Sequence, residues 1–263
     1  MIRLVHRTFR SPSVTGRRRP PVARFVTCAA CTLLLTAATV TATVETEPSA
    51  PSSAPTPTPR PYEATTRHSF ADVEHWKAVF DDPARDAWQK PAAVVAALGL
   101  RPGMSVADLG AGTGYFTGYL SAAVGKQGTV LAVETEPNLV VHLRDRAEKE
   151  RGENVIPVLA SLDNPRLPEA GVDLVLIVDT FHHLDARLAY FQRLARSLKP
   201  RGSVAIIDWV RGERPVGPPP EHAVAREQVV DEMRAAGYVL VEEPKLLPYQ
   251  YFLIFKAVAE RRG

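Results

Sequence analysis

The chain has 263 residues, 45% of them hydrophobic and 23% charged, which is enough apolar material for a sizeable core in one or two domains. The formal net charge of +3 is concentrated at the N-terminus, where seven arginines lie within residues 1–24, and the remainder is close to neutral. Because no basic patch interleaved with aromatic residues follows, we expect no nucleic-acid partner.

Residues 1–44 have the pattern of a signal peptide or an N-terminal membrane segment. The arginines precede a charge-free run over residues 25–44, with small residues suited to cleavage near Ala42. We therefore expect an exported protein, periplasmic or secreted, or one anchored in a membrane through its N-terminus. A misassigned start codon is the alternative, and it would leave the protein in the cytoplasm. The only cysteines, Cys28 and Cys31, would be lost on cleavage, so the mature domain would contain no disulfide.

Residues 45–61 are rich in Pro, Ser and Thr and contain almost nothing apolar, which predicts a disordered linker. The folded domain is therefore expected over residues 62–263. It opens with helices predicted at residues 70–80, from about residue 83, and at 91–98.

Strands and helices then alternate along the chain. Strands are predicted at 106–109, 129–134, 155–159, 172–178 and 204–209, and helices at 116–124, 137–151 and 186–198. Short connections between such elements require a parallel sheet covered by helices on both faces. The apolar run at 172–178 is expected to be the central strand.

The C-terminal part departs from this alternation. After a helix at 224–236, two strands at 238–242 and 249–258 follow without an intervening helix. Consecutive strands joined by a short loop must pair antiparallel. The sequence thus predicts an antiparallel hairpin at the end of the parallel sheet.

The most informative motif follows the first predicted strand, where Asp108 precedes alternate glycines at Gly110, Gly112 and Gly114. Glycines at a strand-to-helix turn let the backbone approach a ligand closely. The dinucleotide fingerprint G-x-G-x-x-G is excluded, because its third glycine position is occupied by Tyr115. The position of Asp108 suits a cationic amino-acid group instead.

In this run, an acid followed by G-x-G-x-G, the chain closely resembles the class I S-adenosylmethionine-dependent methyltransferases. Its overall pattern, including His-His-Leu after the fourth strand, is most similar to the small-molecule methyltransferases related to ubiquinone and menaquinone biosynthesis. The resemblance extends from the helices before the sheet to the C-terminus. It implies an α/β, Rossmann-like, seven-stranded, mostly parallel sheet with an antiparallel C-terminal hairpin, and S-adenosyl-L-methionine as cofactor.

Open α/β sheets bind ligands beyond the carboxyl ends of their strands. The predicted cofactor-binding residues therefore follow strands one to four: Asp108, Gly110, Ala111, Gly112, Gly114, Glu134, Thr135, Leu162, Asp163 and Asp179. The resemblance implies that Glu134 binds the ribose hydroxyls, that Leu162 packs on the adenine, and that Asp163 faces the adenine amino group. Asp163 can equally cap a turn. Glu136 is a second candidate acid.

The catalytic candidates are His182, His183 and Asp179, which follow the fourth strand. A histidine there can act as general base if the acceptor must lose a proton. Adjacent residues point in different directions, so we expect at most one histidine to face the site, and Asp179 is expected to bind rather than catalyse. An N-terminal stretch with Trp88 and Gln89 is expected to close the pocket.

Two functions are compatible with the sequence. The first is transfer of a methyl group to a small or lipid-like acceptor. The second is a non-catalytic module that binds S-adenosylmethionine or a nucleoside in the cell envelope. The chain lacks the N-P-P-Y motif of amide or adenine methylation, and we expect no metal site.

Overall fold

The structure, a computed structural model, describes residues 62–258. The predicted signal segment (1–44) and linker (45–61) lie outside the described residues, and the domain boundary at residue 62 stays a prediction.

A single seven-stranded sheet organises the described part of the chain, in the order β3-β2-β1-β4-β5-β7-β6. Neighbours among β1 to β5 pair parallel, whereas β7 pairs antiparallel with both β5 and β6. The strands are β1 (Ser105–Leu109), β2 (Thr129–Glu134), β3 (Val155–Leu159), β4 (Val172–Val178), β5 (Leu198–Trp209), β6 (Tyr238–Glu242) and β7 (Gln250–Ala257). The predicted fold class is confirmed, with β4 in the middle of the sheet.

Seven α-helices accompany the described strands. They are α1 (Val73–Phe80), α2 (Asp86–Gln89), α3 (Pro91–Ala97), α4 (Tyr115–Val124), α5 (Pro137–Lys149), α6 (Arg187–Ala195) and α7 (Arg226–Ala235). Helix α1 begins later than predicted because Asp72 caps it, its carboxylate accepting the backbone N–H of His75 at 3.1 Å. The helix predicted after Asp82 is a short 3₁₀ turn (Pro83–Arg85) that runs into α2.

Strand β5 begins at Leu198, six residues before its predicted start at Val204. Leu198 pairs with Val172, and the register then shifts before Ser203 pairs with Leu174. Residues 199–202, which were expected to connect the helix ending at residue 198 to this strand, are therefore an irregularity within the strand, with Arg201 at a φ of +71°.

Apolar side chains cover both faces of the sheet, as alternation along buried parallel strands requires. Val175, Ile177 and Val204 contribute to a core that includes residues of α6 and α7. Leu174, Leu176 and Ala205 contribute to a second core with residues of α3 and α4. The two layers fix the carboxyl ends of β1 and β4 side by side.

Within residues 62–258, no helix combines the length and apolar character that crossing a bilayer requires.

Candidate functional site

A cavity of about 670 Å³ lies where the strand order reverses, beyond the carboxyl ends of β1 and β4. The loops after β1, β2, β3 and β4 form its floor, and residues that precede the sheet form its roof. Of the predicted cofactor-binding and catalytic residues, all line the cavity except Gly114 and Asp163. Its size and position suit a small-molecule ligand.

The glycine turn after β1 can be formed only without a side chain at Gly110. This residue has a φ of +75°, and a Cβ added to it would lie 2.3 Å from Oγ1 of Thr180. Its N–H donates to the carbonyl of Val133 at 2.9 Å, which holds the turn against β2. The turn thus brings the backbone after β1 against the loop after β4.

Gly114 serves packing rather than the cavity. It has a φ of +91°, and a Cβ there would lie 2.9 Å from Cδ2 of Leu143 in α5. Gly112 has a φ of +56° and faces Phe80, whose ring would lie 3.4 Å from an added Cβ. Gly112 is therefore the residue of the glycine turn that faces the roof of the cavity.

The carboxylate of Glu134 is held rigidly at the end of β2. Oε2 accepts the N–H of Gly112 at 2.9 Å, and Oε1 accepts the N–H of Thr135 at 2.6 Å. Glu136 faces elsewhere, since its carboxylate accepts the N–H of Phe70 at 3.1 Å. Glu134 is therefore the acid of this pair that lines the cavity, and its remaining lone pairs can accept hydroxyl donors.

Asp108 is buried at the end of β1 and accepts a hydrogen bond from Oγ1 of Thr117 at 2.6 Å. Burial raises the pKa of Asp108 to about 6, with Glu134 adding to the shift and Thr117 and Arg85 opposing it. A buried carboxylate in this state is stabilised by a cation. The site is therefore electrostatically suited to an ammonium group.

The loop after β3 contains two predicted cofactor-binding residues, Leu162 and Asp163, and only one of them lines the cavity. Leu162 is 74% exposed and lines the cavity. Asp163 lies outside the lining: its carboxylate accepts the Ser161 hydroxyl at 2.8 Å and lies 3.8 Å from Arg193. Ser161 and Asn164 bridge their backbones around this turn. The geometry of Asp163 matches the turn-capping interpretation.

Asp179 belongs to a closed ring of hydrogen bonds at the end of β4. Arg85 donates to Asp179 at 3.2 Å and also to Gln89, Gln89 donates to Gln250 at 2.8 Å, and Gln250 donates to Asp179. The buried amides of Gln89 and Gln250 therefore satisfy one another. Burial raises the pKa of Asp179 to about 7, although Arg85 opposes the shift.

Both histidines line the cavity, whereas the sequence predicted at most one. They differ in what supports them. The ring of His182 contacts the carboxylate of Asp208, with Nδ1 at 2.8 Å from Oδ1. Within residues 62–258, the only hydrogen-bond contact of the His183 ring is with a backbone carbonyl, that of Thr66, at 3.4 Å. Asp208 was not singled out from the sequence, although it stands next to the carboxyl end of β5, where open α/β sheets place ligand-binding residues.

The roof is fastened to the glycine turn by polar contacts. Asp81 accepts the hydroxyl of Thr113 at 2.7 Å and pairs with Arg146 at 3.1 Å. Tyr115 donates to Asp86, and its ring lies 4.3 Å below the guanidinium of Arg85. The expected closure by the stretch around Trp88 is thus supplemented by residues that the sequence did not single out.

A cluster of aromatic rings covers the cavity. Phe70, Trp76 and Phe80 lie with neighbouring ring centroids 4.7–6.0 Å apart. His68 stacks on Trp76 at 5.4 Å and contacts the edge of His183 at 5.0 Å. These rings all line the cavity, and they make its roof apolar. Within residues 62–258, no group of three His, Cys, Asp or Glu residues is arranged to hold a metal ion.

The chain is similar to proteins that are named as methyltransferases. A methyltransferase-domain profile matches residues 106–202. The chain is 30% identical to a SAM-dependent methyltransferase of known structure from Aquifex aeolicus, with a TM-score of 0.68, and the match covers 73% of this chain and all of that one.

Two curated relatives match more locally. A ubiquinone/menaquinone biosynthesis C-methyltransferase from Shewanella oneidensis is 29% identical over 133 residues, 49% of each chain. An arsenite methyltransferase from Halobacterium salinarum is 27% identical over 157 residues, 54% of this chain and 39% of that one. The chain thus spans about half the length, or less, of the curated relatives it matches. Because the chain is 30% identical to the Aquifex aeolicus methyltransferase and matches all of it, the chain belongs to the class I S-adenosylmethionine-dependent methyltransferases.

Proposed function

We propose that this protein transfers the methyl group of S-adenosylmethionine to a small or lipid-like acceptor. The single observation that carries the proposal is the carboxylate of Glu134, oriented into the cavity by the N–H groups of Gly112 and Thr135. A carboxylate fixed in this way is preorganised to accept two neighbouring hydroxyl groups, as a ribose presents.

The other cofactor contacts follow from the same geometry. Asp108 would bind the methionyl ammonium, and the glycine turn would let the ligand approach the backbone. Leu162 would pack against the adenine at the open side. Asp163 is not included, because its carboxylate is engaged in the turn outside the cavity. Asp179 would help to close the methionyl end, where Arg85 also lies.

When bound, the cofactor supplies an electrophilic methyl group on a sulfonium. The contribution of the chain is to orient the acceptor against that methyl group and to exclude water. The aromatic roof and the Asp81 contacts favour exclusion of water, since they cover the cavity directly above the glycine turn.

The acceptor is proposed as small or lipid-like because the roof is apolar and aromatic and the cavity holds about 670 Å³. The cofactor would occupy part of this volume, and the remainder suits a small acceptor. The ubiquinone/menaquinone methyltransferase among the relatives is consistent with such an acceptor.

The test uses purified protein, S-adenosylmethionine carrying a labelled methyl group, and cell extract as the acceptor source. We expect labelled product and S-adenosylhomocysteine, and strongly reduced release by Glu134→Ala. Glu153→Ala, at an exposed position, serves as the matched control. Tight binding of the cofactor without release of product would instead support the non-catalytic binding module, and absence of binding would reject both functions.

We also propose that residues 1–44 direct export or anchor the protein in a membrane, on the strength of the arginine cluster and the charge-free run that follows. Mass spectrometry of the natively expressed protein tests this. An intact N-terminus on cytoplasmic protein would contradict it.

A further inference from the structure

His182 and Asp208 form a buried pair at the lip of the cavity. The carboxylate of Asp208 is fully buried in β5 and accepts the backbone N–H of Trp209 at 2.8 Å and that of His182 at 3.1 Å. Nδ1 of His182 lies 2.8 Å from the same carboxylate. Because an ionised carboxylate accepts but does not donate, Nδ1 carries the proton. Nε2 of the neutral ring is then a proton acceptor.

The ring that carries this nitrogen belongs to a residue of the cavity lining. His182 is only 3% exposed, yet its ring is part of the cavity lining. Among residues 62–258, no hydrogen-bond partner is found for Nε2. Asp208 fixes the orientation of the ring through Nδ1, and Nε2 has no hydrogen-bond partner among these residues. A histidine held in this way at a ligand cavity has the geometry of a general base.

The charged and titratable groups around His182 come from several elements. Asp208 lies behind the ring, Asp179 precedes it in the same loop, Arg187 follows in α6, and His183, His68 and His222 complete the cavity wall. Burial lowers the pKa of His182, but Asp208 outweighs it, so that the pKa is raised. Burial lowers the pKa of His183 to about 3, which makes its ring a poor base.

The walls near this pair suit a flat acceptor. Phe70 contacts the ring of His183 edge-on at 5.3 Å, and the rings of Trp76 and Phe80 stack at 5.0 Å. On another side, Trp88 and Trp209 lie 5.2 Å apart. Aromatic walls of this kind bind planar rings through offset and edge-to-face contacts.

We propose that His182, positioned by Asp208, removes the proton from a hydroxyl group on a flat aromatic acceptor. The inference rests on the proposed function. In the step, the hydroxyl oxygen forms a bond to the methyl carbon and the bond from that carbon to sulfur breaks. The electron pair stays on sulfur, giving the neutral thioether, and the hydroxyl proton moves to Nε2 of His182. His182 is then the catalytic residue and Asp208 a positioning residue.

A purely structural role for the pair is the competing explanation. The carbonyl of His182 accepts the N–H of Thr65 at 2.9 Å, so the residue also helps to fasten the segment before the roof. That contact uses only the backbone, and a side-chain substitution preserves it. His182→Asn keeps a donor toward Asp208 and removes Nε2. Exposed His75 in α1, outside the cavity lining, offers the matched control His75→Asn.

The experiment uses the full chain saturated with S-adenosylhomocysteine and the probe 4-nitrophenol, whose phenolate absorbs visible light. The spectrum is recorded below the pH at which the free probe is half-ionised. With wild-type protein and with His75→Asn, we expect the bound probe to be phenolate. With His182→Asn, it should remain the neutral phenol. With Asp208→Asn, its ionisation should move to higher pH by about one pKa unit, a tenfold loss of basicity.

Each other result overturns the inference. If the protein binds S-adenosylhomocysteine but not 4-nitrophenol, the proposal of an aromatic acceptor is rejected and the proposed function is not affected. If the probe bound to wild-type protein is the neutral phenol, the assignment of a general base is rejected, whether or not the variants fold. Phenolate formation that is equal in folded His182→Asn assigns the proton to another group. Failure to bind either S-adenosylmethionine or S-adenosylhomocysteine rejects the proposed function itself.

Discussion

The carboxylate of Glu134 accepts the N–H of Gly112 at 2.9 Å, a contact that joins the end of β2 to the glycine turn after β1. Its other oxygen accepts the N–H of Thr135 at 2.6 Å. One side chain thereby fixes the relative position of the two loops that are proposed to hold the cofactor. The two backbone contacts preorganise the carboxylate.

Glu134→Ala is expected to weaken binding of S-adenosylhomocysteine by about 1–3 kcal/mol, or roughly five- to 150-fold in Kd. The physical reason is the loss of a charged acceptor for two hydroxyl groups. Isothermal titration calorimetry measures the change, with Glu153→Ala as control. An unchanged Kd in folded Glu134→Ala would show that the ribose does not lie at β2.

Gly110→Ala is expected to destabilise the fold more than Gly99→Ala. Both residues have positive φ, +75° and +62°, so each substitution carries a left-handed strain of about 1–2 kcal/mol. Only at Gly110 does the new Cβ meet another side chain, that of Thr180, whereas nothing lies within 4 Å of a Cβ at Gly99. Thermal unfolding should therefore show a lower Tm for Gly110→Ala. Equal Tm values would mean that the loop after β4, which carries Thr180, moves aside without a loss of stability.

The buried pair of Arg187 and Glu232 ties α6 to α7, with Nε and Oε2 2.6 Å apart. Arg187→Met is expected to reduce the free energy of unfolding by about 3–5 kcal/mol, because it leaves a buried carboxylate without its charged partner. Arg234→Met, at an exposed pair with Asp231, should change it by no more than about 0.5 kcal/mol. Urea unfolding of the two variants at neutral pH makes the comparison.

The same pair predicts a loss of stability in acid. Burial alone would raise the pKa of Glu232, but hydrogen bonds from Arg187 and Gln228 outweigh it, and the pKa is lowered. A carboxylate with a lowered folded-state pKa stabilises the fold above its unfolded value of about 4.3 and stops doing so as pH falls through the folded pKa. Unfolding free energies measured from pH 7 downward should fall less steeply for Glu232→Gln than for wild type. A parallel pair of curves would contradict the assignment.

The roof should loosen when its anchor to the glycine turn is removed. Asp81 contacts both Thr113 and Arg146, and the Arg146–Asp81 pair is only partly buried. Asp81→Asn is therefore expected to change overall stability little while speeding amide hydrogen exchange in α1. Glu150→Gln, which removes the exposed second partner of Arg146, is the control. Exchange in α1 that matches wild type would mean that the aromatic cluster alone holds the roof.

The local hydrophobic pattern of the sequence was sufficient to predict most strands of the sheet. Strands β2, β3, β4 and β6 begin and end where the sequence predicted. For β2 and β4 the reason is burial, because a buried strand needs a continuous apolar segment whatever its neighbours are. Strands β3 and β6 lie at the two edges of the sheet and are partly exposed, and their β-branched residues rather than burial marked them. Strand β5 was missed at its start because its first residue belongs to the strand only through pairing with Val172. That pairing depends on a distant part of the chain.

Sequence and tertiary structure also made different contributions to the candidate site. The sequence by itself predicted that the glycine turn and Glu134 would lie at one edge of the sheet together with one of the two histidines, because a ligand site at the ends of parallel strands places its residues directly after apolar runs. Only the tertiary structure decided that Asp208 supports His182, that Gln250 and Arg85 meet at Asp179, and that Asp163 faces its own turn. These outcomes depend on which strands become neighbours and in which register. Side chains far apart in the sequence acquire their partners only when the sheet is assembled.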